Sequence, residues 1–285
     1  MSTAEDKCLI CDKSSLKPAY KFPGLQTCTV CGFITAFTDI SDEELAKLYG
    51  EDYFHGQEYN DYVRDKDAIQ RNFTKRLNIL DRFRNDSHNT LFEIGCAYGF
   101  FLDLAKHHFK KVSGADISAD AVKYAVNTLG VHARTSNYLD MSIDPYDVCC
   151  MWDTIEHLRE PDKFIAKIST EISQGGLLAI TTGDAGSLNA RVRGKKWRQI
   201  HPPTHLHYFS VPTLSKLLQR EGFQIVHVSH PGNLISVDTA LYIILVIQRK
   251  REKLYEFIKR LLGKLVNLYL PVNLGDIMYV IARKT

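Results

Sequence analysis

From Thr90 onward, apolar runs of four to eight residues alternate with amphipathic segments, and few folds accommodate that order. The runs are Leu91–Ile94, Val112–Asp116, Val131–Thr135, Val148–Trp152, Leu177–Thr181, Phe223–His230 and Asp276–Arg283. Helical patterns at Ala119–Thr128, Pro161–Ile172 and Val211–Glu221 lie between them. Parallel neighbours need a crossover, and a crossover helix covers a sheet face. The expectation is therefore α/β: a Rossmann-like, mostly parallel seven-stranded sheet with helices on both faces.

The upstream chain has another texture. Residues 1–35 are Cys-rich and turn-rich, and we expect a small zinc-ribbon-like module there. Residues 36–88 are polar and aromatic, with helical stretches at Asp42–Tyr49 and Ala68–Phe83; Ile69, Phe73, Leu77 and Leu80 share one face of the second. They read as a helical linker or substrate lid. Residues 89–285 form the main domain, with a helical insertion at about 237–270. There Leu254, Phe257, Ile258, Leu261, Leu262 and Leu265 make an apolar stripe, with Lys253, Lys259, Arg260 and Lys264 opposite. Such a helix packs on its own core or on a second subunit, or lies on an anionic membrane surface.

Cys8-x-x-Cys11 and Cys28-x-x-Cys31 have the spacing of a four-thiolate zinc site, and a closed sulfur set suits structural rather than catalytic zinc. The alternative is two separate structural or redox pairs. Seven cysteines, an odd number, fit a disulfide framework poorly. Cys96, Cys149 and Cys150 read as small buried residues. Lys and Arg total 36 against 33 Asp and Glu, a formal +3, which argues against a nucleic-acid coat protein. No apolar run approaches the roughly 20 residues of a spanning helix, and the N-terminus lacks an apolar signal core. A cytoplasmic protein is expected.

The segment Leu91–Leu102 is an apolar strand running into a Gly95-x-Ala97-x-Gly99 turn and then a helix, the arrangement by which backbone approaches a ligand at a helix N-terminus. Glu93 stands near the end of this strand and Asp116 closes the next, close to the spacing at which a carboxylate meets ribose hydroxyls.

Glu93-Ile-Gly95-Cys-Ala97-Tyr-Gly99 resembles the first motif of class I S-adenosylmethionine (SAM) dependent methyltransferases, and Gly114-Ala-Asp116-Ile117-Ser118 resembles their second. The resemblance spans about Thr90 to Arg283. It implies SAM contacts from Glu93, Gly95, Ala97, Gly99, Asp116, Ile117, Asn137, Tyr138 and Asp153. Asp140 is an alternative near the adenine, and Asn137 and Tyr138 read equally well as plain loop residues. Ala97 stands where the family usually has Gly, a change that fits if its φ is negative. Tyr146–Leu158 resembles the fourth strand and its loop, which places Glu156 and His157 beside the transferred methyl group. The alternative is that this pair only shapes the cofactor pocket.

The cysteine module and the following Leu48–Phe54 and Tyr59–Tyr62 stretches resemble bacterial sugar and natural-product methyltransferases. By that resemblance Tyr53, Tyr59 and Tyr62 line the acceptor pocket. The expectation is that the extra C-terminal domain of the C-methylating members is missing, a departure that weighs against C-methylation. His205 and His207, in a loop that resembles an acceptor border, are candidates for substrate binding and reserve proton acceptance; the alternative is that they are satisfied turn residues. A metal at His201, His205 and His207 is disfavoured, since no carboxylate stands at helical spacing among them. His157 is the expected base, because its ordinary pKa lies near neutrality.

The leading expectation is O- or C-methylation of a sugar or other polar small molecule in glycan or natural-product biosynthesis. A quinone-like or lipid-linked acceptor at a membrane surface, an rRNA methyltransferase with a zinc module, and a non-catalytic SAM-binding scaffold are the alternatives. The near-neutral charge counts against a nucleic-acid partner. Homo-oligomerisation is compatible with the sequence.

Overall fold

The computed structural model describes residues 7–13, 15–19, 22, 24–36, 40, 62–247 and 249–285. The helix expected over Asp42–Tyr49 lies outside them. In chain order the first elements are β1 (Leu16–Pro18), β2 (Leu25–Cys28), β3 (Ile34–Ala36), α1 (Lys66–Asp81), β4 (Thr90–Ile94), α2 (Phe100–Ala105), β5 (Lys111–Asp116) and α3 (Ala119–Leu129). β6 (Ala133–Thr135), β7 (Tyr146–Trp152), α4 (Pro161–Glu171), β8 (Ile172–Gly183), α5 (Leu188–Arg193), β9 (His207–Tyr208), α6 (Val211–Arg220) and β10 (Phe223–Ser229) follow. The chain closes with β11 (Asn233–Ser236), α7 (Val237–Leu241), α8 (Glu252–Leu262), β12 (Tyr269–Val272) and β13 (Ile277–Lys284).

The main sheet has seven strands in the order β10-β13-β8-β7-β4-β5-β6. β13 alone runs against its neighbours, pairing antiparallel with β8 and β10. Period-two alternation divides the strand side chains between two cores. Phe92, Ile94, Cys149, Met151, Leu178, Ile180, Met278 and Val280 pack on one face. Leu91, Val148, Cys150, Trp152, Leu177, Ala179, Tyr279 and Ile281 pack on the other. The seven strands expected from sequence are these seven, and the three helical patterns are α3, α4 and α6. Cys149 and Cys150 are fully buried, one on each face, and Cys96 is buried too.

Two strand pairings have no sequence signal. β1, β2 and β3 form an antiparallel sheet whose fourth strand is β9, with Thr35 opposite His207. Cys8, Ile10, Cys28 and Phe33 belong to the first core, so the cysteine segment packs directly on the large sheet. The insertion is closed at its base by the antiparallel pair β11 and β12, Asn233 opposite Val272, and Tyr242–Ile247 forms a π-helix. Tyr255 donates to Asp238 at 2.9 Å, and Arg64 and Lys259 pair with the same carboxylate. Asn72 of α1 exchanges two hydrogen bonds with the Leu234 backbone.

Candidate active site

β4 ends in a turn whose backbone is left-handed three times: φ is +76° at Gly95, +44° at Ala97 and +75° at Gly99. A Cβ on Gly95 would stand 2.6 Å from the Thr154 side chain, and one on Gly99 would stand 2.8 Å from Ala125 Cβ. Close approach therefore requires glycine at both positions. The expectation of a negative φ at Ala97 is corrected: the residue holds a left-handed conformation that costs a β-carbon about 1 kcal/mol or more. Asp116 fixes the turn. Its Oδ2 accepts from the Ala97 amide at 2.8 Å and its Oδ1 accepts from the Ser118 amide at 2.9 Å.

The turn walls a cavity of about 510 Å³ at the C-terminal ends of β4, β5, β6 and β7. Ligands of open parallel sheets bind at this end. Glu93, Gly95, Ala97, Asp116, Ile117, Asn137, Tyr138 and Asp153 all border the cavity, as do Tyr62 and His157. Gly99 lies behind, as the residue before α2. Glu93 is buried, and its Oε2 has no hydrogen-bond partner among the described residues. Burial, then the Asp116 charge, holds its carboxyl well above the usual range. Burial also raises Asp116, against the pull of the Ser118 and Ala97 amides. Ile117 is 48% exposed and faces this space as an apolar surface.

Asn137 and Tyr138 differ in kind. The Asn137 carboxamide oxygen accepts from the Leu139 amide, a local cap. The Tyr138 ring packs on Phe92 and Phe164, with its hydroxyl on Tyr146 and Glu171, so only its edge borders the cavity. Asp153 has φ +51°, a second strained residue at the cavity wall, and pairs with the buried Arg76 at 3.2 Å.

His157 borders the cavity, whereas Glu156, His205 and His207 stand behind it. His157 Nδ1 lies 2.8 Å from the Thr204 carbonyl, which only accepts, so Nδ1 carries the proton. Burial pushes the imidazole down to about 4 and keeps it neutral. Donor atoms of Glu156, His157 and His205 all lie within 4.8 Å of one another. The carboxylate missing from the histidine loop thus comes from the end of a different strand. Burial, then the Asp153 charge, pushes Glu156 up to about 8, and its Oε2 has no described partner. His205 donates from Nδ1 to the Gln199 carbonyl. His207 bridges Thr35 and the Arg159 carbonyl, tying β3 to the chain beyond β7.

Tyr62 stacks on Phe100 at the cavity wall; Tyr53 and Tyr59 lie outside the described residues. Phe73, Trp152, Arg159 and Glu160 also line the cavity and were not singled out from sequence. Phe73 carried a signal, the inward face of α1. Arg159 and Glu160 carried none, because their place depends on how the loop after β7 folds back.

Away from the cavity, the sulfurs of Cys8, Cys11, Cys28 and Cys31 lie within 4.8 Å of one another, with Cys8–Cys31 at 3.5 Å and Cys11–Cys28 at 3.6 Å. None of the four is in a disulfide. A tetrahedral ion with bonds of roughly 2.3 Å to sulfur has edges of about 3.8 Å, so the four sulfurs fit a zinc ion in size and chemistry.

A family model described as a methyltransferase domain matches residues 62–228. Among solved structures, a Bacillus halodurans protein assigned as a methyltransferase is similar at 14% identity and a TM-score of 0.55, covering 74% of this chain and 98% of its own. A SAM-dependent methyltransferase from Archaeoglobus fulgidus is similar at 19% identity and a TM-score of 0.52, covering 78% and 99%. A Haloferax volcanii complex of the Trm112 methyltransferase activator with a protein assigned as a methyltransferase gives 16% identity and a TM-score of 0.55, covering 78% and 93%. No curated protein matches the sequence.

Proposed function

The chain belongs to the methyltransferase-domain family and is a SAM-dependent methyltransferase, and we propose that its acceptor is a sugar or another polar metabolite, methylated on oxygen or carbon in glycan or natural-product assembly. One observation carries this reading. The left-handed turn, the paired carboxyls of Glu93 and Asp116, and the neutral imidazole of His157 meet in one cavity.

SAM supplies an activated methyl group on a sulfonium, so the protein's work is alignment and proton removal. The unfilled Glu93 Oε2 suits an ammonium group. Asp116 suits the ribose hydroxyls, and exposed Ile117 offers a face to the adenine. Gly95 and Ala97 bring backbone within reach of the ligand, Gly99 sets the start of α2, and Asn137, Tyr138 and Asp153 complete the wall. Tyr62 lines the cavity, and by resemblance it is assigned to the acceptor together with Tyr53 and Tyr59; His205, which does not line the cavity, supports the acceptor loop.

His157 takes the acceptor proton. Its Nδ1–H bond to Thr204 fixes the ring, so the proton arrives at Nε2. A buried imidazole near 4 is a weak base at rest. Ionised Glu156 placed beside it strengthens it, which makes Glu156 a positioning residue. His207 does not line the cavity and has both ring nitrogens engaged, so it serves as a strut rather than as the reserve base. The four cysteines hold a structural zinc, and residues 1–35, 36–88 and 89–285 act as module, lid and catalytic domain.

The test is incubation with methyl-labelled SAM and a panel of nucleotide-sugars and free glycans, read by mass spectrometry. Label on a polar acceptor, lost in Asp116→Ala and His157→Ala, is the expected result. Label confined to nucleic acid or to protein would overturn the acceptor class.

A further inference from the structure

The apolar stripe expected on one helix divides in the fold. Tyr255, Ile258, Leu262 and Val266 turn inward, Tyr255 and Val266 being buried and the other two half-buried. Lys259 goes with them, ion-paired to Asp238. Leu254, Phe257, Leu261, Leu265 and Leu268 face outward, with Phe257 64% and Leu261 75% exposed. Leu254, Phe257 and Leu261 share one face of α8 and form its ridge; Gly263, at φ +52°, ends the helix, and Leu265 and Leu268 extend the exposed apolar surface on the turn beyond it. Arg249, Lys250, Arg251, Lys253, Arg260 and Lys264 surround it, all exposed. None of these six pairs with a carboxylate among the described residues, and Glu252 and Glu256 are the acidic groups on the same helix.

Topology places this ridge. β10 runs parallel to β8, since each is antiparallel to β13. The insertion leaves from the C-terminal end of β10 and returns into the start of β13, so it stands at the cavity end of the sheet. α1 links the two: Asn72 holds Leu234 of the insertion while Phe73 lines the cavity. α5, which follows β8 at that same end, independently repeats the pattern. Leu188 and Val192 are 78% and 77% exposed, one turn apart, beside exposed Arg191, Arg193, Lys195 and Lys196. Asn189 donates to Asp276 at 2.8 Å, tying α5 to the end of the insertion.

We propose that the ridge of α8 and the residues after it dock the protein on an anionic lipid bilayer. Large aromatic and aliphatic side chains flanked by exposed cations that meet no carboxylate among the described residues suit the boundary between headgroups and acyl chains. A protein groove would satisfy the apolar side chains alike, but it would need its own acidic rim for the cations, which an anionic bilayer supplies without further design. On the proposed methyl-transfer reading, docking holds the cavity end toward the bilayer, within reach of a sugar or other polar acceptor at its surface.

The experiment is co-sedimentation of the full chain with phosphatidylcholine vesicles, with and without phosphatidylglycerol. The expected result is partitioning at least about tenfold stronger onto the anionic vesicles, weakened by added salt. The double variant Phe257→Glu/Leu261→Glu should lose this binding, and Arg260→Glu/Lys264→Glu should lose its preference for anionic lipid. No binding to anionic vesicles, or equal binding by the first double variant, would overturn the proposal. So would a micromolar dimer that this variant splits, since the ridge would then meet a second copy. SAM affinity of each variant by calorimetry confirms an intact fold and separates failed docking from failed methyl transfer.

Discussion

Asp116 Oδ2 accepts the Ala97 amide at 2.8 Å, so the end of β5 holds the turn that follows β4. The carboxylate therefore has two jobs: bracing the turn and facing the ligand. Asp116→Asn retains one acceptor and sets an amide donor against another donor. Losing one charge-assisted hydrogen bond costs about 1.5–3 kcal/mol. SAM affinity by calorimetry should fall roughly ten- to a hundredfold. An unchanged dissociation constant would remove Asp116 from the cofactor site.

Gly95 and Ala97 make opposite predictions. Gly95→Ala adds a carbon 2.6 Å from Thr154 on a backbone at φ +76°, so SAM binding should be lost even if the protein folds. Gly130→Ala is the control: φ is +65° there too, but nothing lies within 4 Å. It should cost about 1 kcal/mol of stability and leave SAM binding intact. Ala97→Gly should relieve strain, with a small gain or no loss in melting temperature, because the relief is partly offset by greater freedom of the unfolded chain.

Glu156 controls the pH profile. Its carboxyl is pushed up to about 8 by burial and the Asp153 charge. Below that value Glu156 is neutral and His157 is a weak base. Above it, a negative charge beside the imidazole favours imidazolium, so proton acceptance strengthens. The kcat/KM for methyl transfer should rise with pH and level off above about 8. Glu156→Gln should flatten that rise while leaving the KM for SAM nearly unchanged. A variant with the wild-type profile would leave Glu156 without a role in the reaction.

The cysteine cluster should hold about one zinc per chain by elemental analysis, because four sulfurs complete a tetrahedral shell. Cys8 and Cys28 belong to the same core as Phe33 and Phe209. Losing the ion should therefore lower the melting temperature of the whole chain, not unravel an isolated module. Cys28→Ser is expected to lose zinc and several degrees. Metal-free protein with an unchanged melting temperature would make the cluster an ordinary thiol core.

The parallel sheet was legible because its strands are buried on both faces, which leaves short apolar runs such as Leu91–Ile94. The Gly95 turn was legible because glycine is the residue that fits there. Ala97 misled: its left-handed φ is imposed by Asp116, nineteen residues away, and no local pattern encodes that bond. β9 was invisible for a similar reason. A two-residue strand has no periodicity, and its partner β3 lies far upstream. The Glu156–His205 meeting also depends on tertiary folding, which brings the chain after β7 against the loop before β9. The stripe on α8 was visible, but sequence could not tell which part of it turns inward.

His207 should set part of the acid stability. It is 5% exposed, between Phe33 and Phe209, with both ring nitrogens bonded to Thr35 and Arg159. Burial pushes its pKa from 6.5 down to about 4, so the folded state resists a proton that the unfolded chain accepts. The resulting contribution is fully present above pH 6.5 and is lost as pH falls toward 4. Its size is about 3 kcal/mol over that window, at roughly 1.4 kcal/mol for each pH unit. His205 and His157 are lowered in the same direction and add to the wild-type slope, so the comparison must be made by difference. His207→Gln removes one titrating group at that position. Unfolding free energies from denaturant titrations at several pH values should show wild type losing stability more steeply than the variant between 6.5 and 4, with parallel curves above. Parallel curves throughout would mean that His207 protonates in the folded state at its ordinary pKa and that the strut between β3 and Arg159 opens readily.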